Sequence, residues 1–456
     1  MSGVFDFSTV KVGLISFARS FFDTEYAVKI LNATNDALCA QGFRVETNTN
    51  LVVSSESAQE AIKWIKTICP GVLVIQIGTF VDASLVMEVV KGLNIPLLLW
   101  AVREPSAGNA GRLRLNSFCG LNLAAYALVH SGIPFEHVFG DPDESQTLEK
   151  ASAFLKGNVV CESLSNTKII AFGNSPKGYY PSTFDPLYLK GTWGLDVIQI
   201  SLDNIFSKAL EMSAGKVAEL QKELSLSLPN LNDIPADAVD KSIRGYLALK
   251  EVLQDTGAAA LAVECWPDFM TKFGGAACFA LGRLNAEGFP AACEAEVNGA
   301  SLLLMLQRLS GQPPYFGDLV HINEERQSVV FWHCGFGAPC QASALSGIRA
   351  GLHPNRKMGL IHEFSLKGGG PVTVAQFGKR PGKNGYRMLI AKGEAVEAPL
   401  WFQGTSMEVK LDIPPLEMFD AVVKNGFGHH YALAYGDVEK ELRAICREKD
   451  VEIVKL

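Results

Sequence analysis

Residues 71–102 read GVLVIQIGTFVDASLVMEVVKGLNIPLLLWAV: an apolar run, a stretch with apolar residues at helical spacing, then a second apolar run. VLVIQI and IPLLLWAV lack polar alternation, so both faces of each strand are covered. That is how a parallel sheet between helices reads. The pattern extends upstream: VKVGLIS (Val10–Ser16) reads as a strand and about Thr24 to Ala40 as a helix. FRVETNTNLVV and SAQEAIKWIKTIC then read as a second strand and helix. Ligands of such sheets sit beyond the strands' carboxyl ends. The loops there are FARSFFD, GTFVD and VREPSAGN, carrying Arg19, Asp23, Thr79, Phe80 and Glu104, with Trp100 on the last strand. A second α/β unit starts at Thr167, with KIIAFG and LDVIQISL as strands and AALAVECWPDF further on. From about Gly351 to Pro414 helical spacing gives way to Gly, Pro and β-formers, as in FSLKGGGPVTVAQFGKRPGKNGYRMLIAKGEAV. The expected division is residues 1–160 and 161–350 as α/β domains, with 351–456 β-rich and closed by a helix. The β-rich part is a small barrel or sandwich laid against the α/β core.

Length and composition bound the function. A chain of 456 residues has room for about three domains. With 48% hydrophobic and 20% charged residues it has ample core material. Lys+Arg 41 against Asp+Glu 48 leaves a net charge of −7, which argues against a nucleic-acid binder. No run approaches the ~20 apolar residues of a membrane span, and MSGVFDFSTVKVGLIS lacks a basic segment followed by an apolar one. The ten cysteines include no CxxC pair and read as reduced, mostly buried thiols. The expectation is a cytoplasmic protein that binds something small.

Three pieces place charge or imidazole at the end of an apolar element. Glu264 ends the run AALAV. In CEAEVNG, a strand would put Glu294 and Glu296 on one face. Two carboxylates in apolar surroundings repel each other and call for a cation or for donors. His333 follows a buried-looking strand and precedes a Gly-rich loop, and His429 and His430 sit at a Gly-flanked turn. The other five histidines have ordinary helix or loop settings. Carboxylates with neutral imidazole match Mn²⁺, Mg²⁺ or Co²⁺. A thiolate zinc site fits less well, because Cys265, Cys293 and Cys334 have no cysteine partner at ligand spacing.

The ordered motifs AVECWPDF, PAACEAEVNGA, FWHCGFGAP and FGHHYALAYGD, with the block KIIAFGNSPKGYYPSTFDPLYLKGTWGLDV, resemble the L-fucose isomerase and L-arabinose isomerase superfamily over nearly the whole chain. The resemblance implies two Rossmann-like parallel-sheet domains and a C-terminal domain containing an antiparallel β-barrel. It implies a Mn²⁺-dependent aldose–ketose isomerase whose metal is held by Glu264, Glu296 and His430, with His333 as a further ligand or sugar contact. The second acidic position is commonly Asp in the fucose enzymes and is Glu here, so Glu294 and Glu296 both stay open for it. The resemblance also implies a homo-oligomer, a trimer or hexamer, in which an N-terminal domain contributes to a neighbour's sugar site.

On this reading a proton moves between C2 and C1 of the sugar through an enediolate, with Glu264 and Glu296 as acid and base. The sugar is a hexose, a pentose or a modified (deoxy or anionic) one. Arg19, Trp100, Trp266 and His333 are its expected contacts. Lys177, Arg356, Lys379, Arg380 and Lys383 could read an anionic group, although their Gly/Pro-rich settings favour solvated surface. The rival readings are a non-catalytic sugar-binding protein of the same fold and a metal-dependent aldolase or epimerase. Neither GxGxxG nor GxxxxGK[ST] occurs, so no nicotinamide or ATP is expected.

Overall fold

A computed structural model describes residues 5–105, 111–383 and 385–456, so the distal part of the VREPSAGN loop lies outside the described residues. The chain forms two compact units. One is Asp6–Ser163 with Lys440–Glu448; the other contains Leu164–Glu439 and Lys449–Leu456. Among the described residues no helix is long and apolar enough to cross a membrane.

The N-terminal unit is built on a parallel sheet of β1 (Lys11–Phe17), β2 (Arg44–Thr47), β3 (Val72–Ile77), β4 (Leu97–Ala101) and β5 (Glu136–Phe139). Its order is β2-β1-β3-β4-β5. β3 and β4 are buried at every position, as their unbroken apolar runs require. Ile15, Phe17, Leu73, Ile75 and Leu99 pack with Ala58, Ala61 and Val86 of the covering helices. Helix Ser55–Ile68 starts where Ser54 and Ser57 cap each other reciprocally. The order reverses between β1 and β3, so FARSFFD and GTFVD share the switch point where open sheets present ligands.

The other unit holds a second parallel sheet and a barrel. β6 (Lys168–Phe172), β7 (Asp196–Ile200), β8 (Ala260–Val263) and the two-residue β9 (Ala291–Ala292) line up as β7-β6-β8-β9. The barrel strands are β10 (Tyr315–Asn323), β11 (Ser328–His333), β14 (Pro371–Lys379), β15 (Tyr386–Val396), β16 (Thr405–Leu411) and β17 (His430–Tyr435). Each pairs antiparallel with the next around the ring β16-β11-β10-β17-β14-β15, and β15 closes back on β16. β12 (Arg349–Gly351), β13 (Ile361–Ser365) and β18 (Glu452–Val454) extend this sheet outside the ring. The barrel therefore draws strands from both sides of residue 350. Closure leaves the ring no free edge to protect.

Tyr431, Leu433 and Tyr435 share the barrel core with Tyr315, Phe331 and Leu389. Helix Val297–Ser310, buried from Val297 to Leu306, packs on β17 as well as on β6, β8 and β9. A helix apolar on all sides is one enclosed on all sides. It joins sheet to barrel, and its N-terminus sets the site.

Candidate active site

The CEAEVNG stretch is not a strand. β9 ends at Ala292, and Glu294 and Ala295 are both left-handed, at φ 55° and 52°. Consecutive non-glycine residues in that region are strained and persist only where packing enforces them. Glu296 then becomes the N-cap of helix Val297–Ser310. The turn separates two carboxylates that period-two geometry would have kept together. Glu294 enters a cavity, and Glu296 turns inward, where its Oε2 lies 2.7 Å from His430 Nδ1.

The cavity measures about 250 Å³ and lies wholly within the C-terminal unit. Its polar wall comes from the barrel. Asp318 on β10 is paired in register with His430, the first residue of β17, and His333 ends β11. Residues directly opposite across strands bring their side chains together, and Asp318 Oδ1 stands 3.4 Å from His430 Nε2. Cys293 Sγ is 3.4 Å from the same nitrogen and 3.0 Å from His333 Nε2. Glu294, His429 and His430 bring ligand atoms within 4.8 Å of one another, as do Cys293, His333 and His430.

Burial sets the charge states. It pushes His430 down to about 4, against the opposing pull of Asp318, and pushes Glu296 up to about 8. The pair is neutral at pH 7, and Glu296 occupies Nδ1. His430 therefore presents Nε2 to the cavity, the arrangement of a ligating histidine oriented by an acid behind it. Burial alone would lower His333 too, but Cys334, Asp318 and Cys265 outweigh it and hold it at about 9. Two buried carboxylate oxygens, Glu294 Oε2 and Asp318 Oδ1, have no hydrogen-bond donor. His429 Nε2 approaches Glu294 Oε2 at 3.4 Å without hydrogen-bond alignment. Carboxylate oxygens without a hydrogen-bond donor beside a neutral imidazole are the donor set of a hard or borderline divalent cation, so the residues fit such a metal.

The other expected residues fall in different places. Glu264 directly follows β8, but it opens on a second cavity with Gly173, Asn174, Asp268 and Lys272. There its Oε2 accepts the Asn174 backbone N–H at 2.7 Å, while burial raises its pKa. The two cavities share no lining residue, so Glu264 is not brought to His430. Trp266, two residues on, does line the His430 cavity. Trp100 corrects its expectation: the ring is fully buried in β4 and its Nε1–H donates to the Gly140 carbonyl at 2.9 Å, which leaves no face for a sugar. Arg19 stays at the N-terminal unit's switch point. Its backbone N–H donates to Thr79 Oγ1 at 2.8 Å and its guanidinium pairs with Asp82.

Asp318 was missed. An acidic residue inside the apolar strand YFGDLV is its only mark in the sequence. The cysteines converge in a way spacing did not reveal: Cys265, Cys278, Cys293 and Cys334 all line the cavity, and Cys278, Cys334 and His353 form a further close group. The expectation of burial is corrected for Cys39, Cys69, Cys119 and Cys340, which are exposed.

Residues 13–165 match the family described as fucose/sulfoquinovose isomerase, N-terminal domain. The sulfoquinovose isomerase of Alkalicoccus urumqiensis is 33% identical over 97% of this chain and 98% of its own length. That of Priestia megaterium is 34% identical over 96% and 97%. This chain belongs to the fucose/sulfoquinovose isomerase family. It is an isomerase, with two parallel-sheet α/β domains and a closed antiparallel barrel. In this isomerase two of the close groups that could hold a metal, Cys293–His333–His430 and Glu294–His429–His430, lie where barrel strands meet the turn before helix Val297–Ser310.

Proposed function

We propose that this isomerase converts a sulfonated aldose, sulfoquinovose, to its ketose with the help of a divalent cation, Mn²⁺ by preference. One observation carries the reading: the buried, donorless oxygens of Glu294 and Asp318 beside the neutral His430. Glu294, Asp318 and His430 would hold the cation, which when bound supplies Lewis-acid polarisation of neighbouring sugar oxygens. Glu294 and Asp318 take over the acid–base roles expected of Glu264 and Glu296, because they face the cavity. A proton leaves C2 and returns to C1, and the O2 hydroxyl proton passes to O1, so the sugar is neither oxidised nor cleaved overall. Two carboxylates in one enclosed site suit this shuttle, since a retained proton can be delivered to the neighbouring carbon. His333, whose Nδ1 accepts the Cys334 backbone N–H at 2.9 Å, turns Nε2 toward the cavity and donates its hydrogen to a sugar oxygen. Trp266 supplies an apolar face.

The test is turnover of sulfoquinovose by the purified chain with added Mn²⁺, with products followed in deuterated water. The expected product is the six-carbon ketose, uncleaved, its C1 carrying the transferred proton rather than a full deuterium. Glu294→Gln and Asp318→Asn should each lower kcat by about a thousandfold or more. Full activity in either variant, cleavage products or an epimeric aldose would overturn the reading. A homo-oligomer in the cytoplasm also belongs to the proposal. Sedimentation at a multiple of 49.3 kDa supports it, and a monomer rejects it.

A further inference from the structure

A sulfonated sugar presents two chemically different ends, and the cavity has groups for both. Its floor is acidic and would repel an anion: Glu294 and Asp318 lie there with His430. Among the residues lining it, Arg356 alone carries a permanent positive charge. Arg356 is exposed while lining the cavity, so its guanidinium is open to solvent at the cavity's edge. Its guanidinium lies 5.4 Å from the centroid of the Trp266 ring, and that ring makes an edge contact with Tyr179 at 5.7 Å. An arginine stacked on an aromatic face keeps its fork of donors oriented, which lowers the entropy lost on binding.

The backbone fixes where Arg356 starts. Its N–H donates to His353 Nδ1 at 3.3 Å, and the Lys357 N–H donates to the His353 carbonyl at 2.8 Å. The other cations that could meet an anion are engaged elsewhere. Lys379 donates to Thr183 Oγ1, and Arg380 pairs with Asp450 and Glu452. Lys177 and Lys383 are exposed and do not line the cavity.

We propose that Arg356 is the specificity residue for the sulfonate, receiving its oxygens at the cavity mouth while the carbonyl end of the sugar meets Glu294, Asp318 and His430. This rests on the substrate reading above. A guanidinium can present two parallel N–H donors to two sulfonate oxygens, which an ammonium cannot.

Quinovose differs from sulfoquinovose only in lacking the sulfonate, so the ratio of kcat/KM for the two sugars isolates this contact. Arg356→Gln should lower that ratio by about tenfold to a hundredfold, chiefly through KM for sulfoquinovose. Arg356→Lys should recover part of it. The wild-type KM for sulfoquinovose should rise with salt, and that of Arg356→Gln should respond less. Lys222→Gln, an exposed cation outside the cavity, should leave the ratio unaltered. An unchanged ratio in Arg356→Gln, or a fall in kcat alike for both sugars, would overturn the assignment while leaving the isomerase reading intact. A wild-type enzyme that ignores sulfoquinovose would overturn the substrate reading and this inference with it.

Discussion

Glu296 lies behind His430, and its effect on the site is through that ring. Burial holds the pair neutral, so the contact steers the ring and fixes which nitrogen faces the cavity. Glu296→Leu keeps most of the bulk but removes the hydrogen-bonding end that holds the ring. It should weaken Mn²⁺ binding about tenfold to a hundredfold, read by titrating the metal against the folded protein. Unchanged affinity would show that Glu296 only fills space. His362 makes a different claim. It is buried against Phe279 and Phe364, its Nδ1 has no partner, and burial lowers it to about 3. A histidine depressed on folding contributes stability that is complete above the unfolded value of about 6.5 and is lost as pH falls toward 3. Below pH 6.5 this one proton should steepen the loss of stability by about 1.4 kcal/mol per pH unit. Denaturant melts across pH 4–7 should show a shallower slope in His362→Gln than in wild type, and equal slopes would reject the account.

The decisive elements are turns. Strand alternation fails at CEAEVNG because β9 stops at Ala292, and a left-handed pair then redirects the chain into a helix. Local sequence does not disclose such a turn, since neither Glu294 nor Ala295 favours that conformation and only the surrounding packing imposes it. The turn after His333 is legible, because FWHCGFG contains the glycine it needs. Gly335 sits at φ 98°, and a Cβ there would come within 2.5 Å of the Ile361 Cβ and 2.8 Å of the His362 carbonyl oxygen. Gly335→Ala should therefore destabilise the protein by about 2 to 4 kcal/mol, combining left-handed strain with overpacking. A chemical-denaturation midpoint within error of wild type would contradict this.

At the scale of the molecule, the candidate ligands come from three remote stretches: the turn at Glu294, β10 at Asp318 and β17 at His430. A cation that bridges them binds only the folded chain, so it must stabilise that state in proportion to the logarithm of its concentration over Kd. Chelation should lower the melting temperature, added Mn²⁺ should restore it, and Glu294→Gln combined with Asp318→Asn should abolish the difference. A chelator-insensitive melt in wild type would argue against a bridging metal.

By itself the sequence determined the α/β class, the β-rich C-terminal part and the family, because apolar runs, glycine-marked turns and ordered motifs are local patterns. It also singled out His430, His333 and Trp266, whose settings are visible within a few residues. Tertiary structure decided the rest. Barrel register set Asp318 opposite His430, and a strained turn sent Glu294 to the cavity and Glu296 behind the histidine. The course of the chain beyond β8 left Glu264 facing another cavity, and the buried centre of the N-terminal sheet enclosed Trp100. A side chain's neighbours across a sheet depend on which strands pair and in what register, and that is settled by global packing rather than by adjacent residues.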